Sequence, residues 1–211
     1  MWGPAKNTNT ELRWEKGHNQ NIGLDFSVLK HRITGSLNYF RRKQSDLLGD
    51  YAVSMPPNLF STIYANVGTL RNSGFEFDVT VNPVKTRNFS WGFTLVGATN
   101  NNKFDSFSDD VYKGQKYYST CGMANPNSPG YLQRIEEGER VGNYFTYRYA
   151  GVDKKGDWMI YDKKGNVIPV AQGTDEDKCV TGNGLPKFTG SMTHNITYKN
   201  FDLTVAMRGA A

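Results

Sequence analysis

The chain has 211 residues, a formal net charge of +5 and an unusual balance, only 37% hydrophobic yet 13% aromatic. That length supports a sizeable core, but no apolar run reaches the ~18 residues of a membrane-crossing helix. Aromatic segments set among Gly- and Asn-rich turns suit antiparallel β structure, and membrane-spanning strands stay open because each needs only about ten residues of alternating character. The positive charge is scattered, its densest cluster being Arg41-Arg42-Lys43, and no nucleic-acid-binding motif accompanies it, so no nucleic-acid partner is expected.

The opening residues Met1 to Lys6 lack the basic start and apolar core of a signal peptide. Read as a complete product, the chain would be cytoplasmic; read as a fragment, its start carries no address, and the strand pattern favours the fragment. From Asn21 to Leu29 the apolar set is Ile22, Leu24, Phe26 and Val28, with small or polar residues between. A two-residue turn, Lys30-His31, leads into Ile33, Gly35, Leu37 and Tyr39, which alternate with Thr34, Ser36 and Asn38. An excursion over about 44–73 follows. Phe75, Phe77, Val79 and Val81 then alternate with Glu76, Asp78 and Thr80, and a short turn over 83–88 leads to Phe89, Trp91, Phe93 and Leu95. After a second excursion, over about 101–186, Phe188 to Tyr198 and Phe201 to Met207 form a third hairpin around Lys199-Asn200.

Short turns on one side and long excursions on the other are the habit of a transmembrane barrel and are rare in a compact soluble domain. Alternation alone leaves a β-sandwich equally open; the loop asymmetry favours the barrel. In the barrel reading the three tight turns share a side, so an even number of spanning strands separates the strand from Phe89 and the strand from Lys187. The segments 141–149 and 158–161 look like strands, but the first has aromatics on both faces (Tyr144, Phe145, Tyr147, Tyr149), and both are expected to be structure inside one large extracellular loop.

These residues resemble a known family. Asn9-Thr10-Glu11-Leu12-Arg13-Trp14-Glu15-Lys16, Ser45-Asp46-Leu47-Leu48, and above all Asn66-Val67-Gly68 followed by Asn72-Ser73-Gly74-Phe75-Glu76 are similar to segments of the SusC/RagA-type TonB-linked outer-membrane proteins. Leu185-Pro186-Lys187-Phe188-Thr189-Gly190 and Tyr198-Lys199-Asn200-Phe201-Asp202-Leu203 extend the similarity over nearly the whole chain. The resemblance implies a late barrel section of an outer-membrane importer of oligosaccharides or peptides, working with a SusD-like lipoprotein and powered by TonB through parts outside this chain. Nothing here resembles a plug or TonB box, and the chain ends at Ala211 and not at an aromatic residue, which reads as a truncated barrel. The expected fold is therefore all-β, antiparallel strands of a partial transmembrane barrel over 1–211, with 101–186 as a large extracellular loop region.

No catalytic, metal or cofactor site is expected. His18, His31 and His194 sit in separate segments, and in Asp153-Lys154-Lys155-Gly156-Asp157 and Asp162-Lys163-Lys164-Gly165-Asn166 lysines stand where a calcium loop needs oxygen ligands, which favours plain β-turns. Cys121 and Cys179 stand as either a disulfide or two free thiols. Tyr117, Tyr118, Tyr131 and Trp158 are the candidate substrate-binding residues, because loop aromatics can stack on sugar rings; packing of the loop onto itself is the plainer reading. Arg41-Arg42-Lys43 falls where a strand leaves the membrane and suits lipid phosphates or a merely solvated strand end. Trp91 and Tyr198 suit an interfacial aromatic girdle or a soluble core. The rival readings are a secreted β-sandwich acting as a carbohydrate-binding or adhesion module, and a truncated product without function.

Overall fold

A computed structural model describes residues 6–108, 116–122 and 130–211, without the side chain of Ala52; the opening residues 1–5 and parts of the expected loop lie outside them. Among the described residues the strands are β1 (Lys16–Val28), β2 (Ile33–Ala52), β3 (Thr62–Lys85), β4 (Phe89–Thr99), β5 (Asn101–Phe107), β6 (Tyr117–Gly122), β7 (Tyr131–Glu136), β8 (Asn143–Val152), β9 (Trp158–Tyr161), β10 (Val167–Pro169), β11 (Lys178–Asn183), β12 (Phe188–Tyr198) and β13 (Phe201–Ala210). They fall into two compact units, Met1–Asn102 with Pro186–Ala211, and Lys103–Leu185.

The first unit is built on an antiparallel path in the order β1-β2-β3-β4-β12-β13, and β5 also pairs with β3 to make the sheet seven-stranded. Its register gathers the alternating residues into continuous rows. Phe26, Gly35, Val79, Leu95, Met192 and Met207 lie side by side across all six strands of that path, and Val28, Ile33, Val81, Phe93, His194 and Val205 form the next row. The opposite face carries Asp25, Ser36, Asp78, Val96, Ser191 and Arg208, then Ser27, Thr34, Thr80, Thr94, Thr193 and Ala206. The apolar face is not a core. Ile22 is 73% exposed, Leu24 61%, Phe75 61% and Phe201 79%, whereas a sandwich would bury such side chains. Left in water, each forgoes roughly 2 kcal/mol of burial, which a lipid surround restores. From Phe75 to Val84 the strand is about 30 Å long at ~3.3 Å per residue, or about 23 Å of height at a ~40° tilt, close to the ~25 Å apolar band of an outer-membrane barrel.

The tight turns form as the alternation requires. The amide of Arg32 donates to the Leu29 carbonyl at 3.3 Å, and Lys30 and His31 both have positive φ (55° and 63°), the twist that matches a two-residue hairpin. Ser27 Oγ holds His31 Nδ1 at 2.7 Å and so anchors a turn that has no glycine. At the second turn Thr86 closes onto Phe89 through its amide (2.8 Å) and its hydroxyl (2.9 Å).

The expected excursion over 44–73 is mostly strand. β2 continues to Ala52 and β3 begins at Thr62, so the hairpin runs about ten residues past the apolar band. The sequence hides this because a strand with water on both faces needs no alternation. The register steps between Gln44 and Leu47 and again between Leu47 and Leu48, and Asp46 adopts φ 58°. The family-like motifs converge on this irregularity. Asn66, 7% exposed, accepts the Arg13 amide (2.8 Å) and donates to the carbonyls of Arg13 (2.8 Å) and Asp46 (2.7 Å). Glu15 accepts from the Leu48 amide (2.9 Å) and the Gln44 side chain (2.6 Å), while Lys16 pairs with Asp46 at 3.1 Å. The motifs thus fasten the segment before β1 to the β2–β3 hairpin.

β4 and β12 pair directly, from Thr99 opposite Phe188 to Phe89 opposite Tyr198, so no spanning strand separates them. β8 and β9, the two segments read as loop structure, belong to the second unit, whose sheet runs β10-β9-β8-β7-β6 with β11 paired to β8. The two Asp-Lys-Lys-Gly segments are tight turns. Asp153 Oδ1 accepts the amides of Lys155 and Asp157, and Asp162 Oδ1 those of Lys164 and Asn166, with Gly156 and Gly165 at φ near 89° and 88°. These carboxylate oxygens face backbone amides. Cys121 and Cys179 are both free and exposed.

Candidate functional site

The second unit holds an open groove of about 630 Å³. Its centre is Arg134, on β7, whose guanidinium lies 3.7 Å from the Tyr117 ring and 4.3 Å from the Phe145 ring. Strand pairing explains the sandwich: β6 and β8 flank β7, with Ser119 opposite Arg134, so Tyr117 of β6 and Phe145 of β8 close on the arginine from either side. Glu136 pairs with Arg134 Nη2 at 3.2 Å. Two further ion pairs border the groove, Lys178 with Asp175 at 2.6 Å and Lys163 with Glu176 at 3.8 Å. The lining therefore combines flat aromatic faces with a balanced rim of charge and hydrogen-bonding groups, which suits a polar ligand with an apolar face, such as a sugar ring or a peptide.

Two of the four aromatic candidates line this groove, Tyr117 and Tyr131, 47% and 55% exposed. Tyr118 does not line it; on β6 it sits next to Tyr117, and successive strand residues point to opposite faces. Trp158 is on β9 and packs edge-on against Tyr149 at 6.4 Å. Arg134 and Lys178 went unread in the sequence, and Phe145 stood out only as one aromatic of a strand, since a single arginine inside the six-residue β7 carries no motif. Asp177 braces one rim by accepting the amides of Thr174 and Lys163 and the Thr174 hydroxyl, and these bonds hold its carboxyl below the usual range. The side-chain amide of Asn166, followed by backbone amides, does the same for Asp162.

The polar face of the first sheet has a smaller cavity of about 280 Å³ bordered by Phe40, Arg42, Asn72, Glu76 and Asn100. Arg42 lies over Phe40 at 5.6 Å, so the middle residue of the basic cluster turns to this face. Asn72 and Glu76, both from the family-like motif, stand beside it, and the side-chain oxygen Oδ1 of Asn72 is buried without a hydrogen-bond partner.

A sheet apolar and exposed on one side, polar on the other and turned by three tight hairpins is the wall of a membrane β-barrel. The chain belongs to the family of TonB dependent receptor-like β-barrels, which it matches over residues 2–209. It is 29% identical to the TonB-dependent receptor SusC of Bacteroides thetaiotaomicron and 27% to the TonB-dependent receptor P3 of Formosa agariphila, over 96% and 93% of its own length. The RagAB peptide transporter structure superposes on 98% of the chain with a TM-score of 0.77 at 21% identity. The SusC/RagA resemblance read from the motifs thus holds. The chain spans about a fifth of these relatives, 20% of SusC and of P3 and 22% of the RagAB chain.

Proposed function

We propose that this chain forms part of the barrel wall, with a substrate-contacting insertion, of an outer-membrane TonB-dependent importer of oligosaccharides or peptides. The observation that carries the reading is the exposed apolar face backed by a polar one, in a chain of this receptor family. In this reading the polar face lines the lumen and the unit from Lys103 to Leu185 stands on the cell exterior, where the Tyr117–Arg134–Tyr131 groove meets substrate. A SusD-like lipoprotein covers that exterior side, and TonB acts through parts of the receptor outside this chain. The names of the relatives, a receptor SusC and a peptide transporter, support import of glycan or peptide.

The test is uptake by cells whose receptor carries Tyr131→Ala or Tyr117→Ala, with receptor abundance in outer-membrane fractions measured alongside. Import of one glycan or peptide pool should drop while abundance holds. Unchanged import across both pools, or recovery of the chain in the soluble fraction, would overturn the reading.

A further inference from the structure

The Arg41-Arg42-Lys43 cluster is split by the sheet. Arg42 turns to the polar face, and by strand alternation Arg41 and Lys43 share the apolar face with Tyr39. The register then assembles a patch that no linear reading contains. His18, Lys43 and Arg71 lie side by side across β1, β2 and β3, with Gln20, Arg41 and Ser73 as the next row and Ile22, Tyr39 and Phe75 after that. Arg41 and Lys43 are exposed, and no carboxylate occupies any of these three rows. Tyr39 and Phe75 are in ring contact at 5.0 Å and begin the apolar band. Cations therefore stand directly above apolar rows, at the end of the band farthest from the tight turns.

We infer that this face binds the phosphorylated headgroup of a membrane lipid, with Arg41 and Lys43 meeting the phosphates while the acyl chains lie along Ile22, Tyr39 and Phe75. Charge complementarity names the ligand: guanidinium and ammonium groups in adjacent rows fit phosphate oxygens, and the apolar rows below fit hydrocarbon and no soluble anion. The inference rests on the membrane placement proposed above.

The test uses the complete receptor, purified in a neutral detergent and titrated with diphosphorylated lipid A, with bound lipid read by native mass spectrometry. Arg41→Gln with Lys43→Gln should weaken binding roughly tenfold or more, while Arg41→Lys with Lys43→Arg should retain it. Binding by the unaltered receptor should weaken as salt rises, and inorganic phosphate at equal concentration should neither bind measurably nor displace the lipid. Equal affinity of the charge-removing variant, equal affinity for a dephosphorylated lipid, or displacement by inorganic phosphate would overturn the headgroup site. Failure of the receptor to enter phosphatidylcholine vesicles at all would instead overturn the membrane reading.

Discussion

The indole Nε1 of Trp91 donates to Nδ1 of His194 at 3.3 Å across β4 and β12, and the two rings stack at 6.1 Å with 17° between their planes. Phe93 completes a triangle of rings, 5.8 Å from the imidazole and 5.8 Å from Trp91. A polar ring on an otherwise apolar face is thus satisfied by a neighbour that also shields it, close to the tight-turn end where Phe89, Tyr198 and Phe201 gather. That is the amphipathic chemistry of a membrane–water boundary. Replacing Trp91 by Phe keeps the ring and removes the donor. We expect a loss of about 1 kcal/mol in the stability of the lipid-inserted receptor, followed by urea unfolding in vesicles, and a larger loss for Trp91→Ala.

The two faces of β4 give a sharper test. Leu95 belongs to the apolar row and Thr94, its immediate neighbour, to the polar one. Leu95→Arg should cost about 2–4 kcal/mol in a bilayer, because a charge at mid-depth meets hydrocarbon, whereas Thr94→Arg should cost under about 1 kcal/mol. Folding yield into vesicles, read by heat-modifiable gel mobility, checks this. Equal costs would contradict the assignment of faces.

Asn66 makes three hydrogen bonds to backbone groups at a nearly dry position. Asn66→Ala should destabilise the outer β2–β3 hairpin by about 2–3 kcal/mol and release the segment before β1. Limited proteolysis should then cut between residues 6 and 15 well before any other site.

Asp177 and Asp162 carry lowered carboxyl pKa values in the second unit. A depressed folded pKa means that the stabilisation is fully present above the unfolded carboxyl pKa and is lost as pH falls through the folded one. The amides of Lys163 and Thr174 should therefore lose protection against hydrogen exchange on acidification through and below the ordinary carboxylate range. Asp177→Asn should weaken that protection at neutral pH and flatten the pH dependence.

The strands inside the apolar band were legible because two different solvents force an alternation that a sequence displays. Beyond Tyr39 the same strand runs through Arg41, Arg42, Lys43 and Gln44, where both faces are polar and the periodic signal vanishes while the pairing continues to Ala52. What holds that part is Asn66, a residue twenty positions from Asp46 that only register brings to it. The groove was half legible for a related reason. Exposed aromatics can be picked from a sequence, but whether Tyr117 or Tyr118 faces the cavity depends on the pairing of β6 with β7. Arg134 emerges only once Tyr117 and Phe145 are seen on either side of it.

The seam between β4 and β12 has a consequence for how such a receptor changes over generations. The amide of Asn100 donates to the Lys187 carbonyl at 2.8 Å, just past the end of the paired strands, so β4 and β12 are joined by residues that lie outside 103–185. A lineage can change the length or sequence of 103–185 and leave the β4–β12 register as it is.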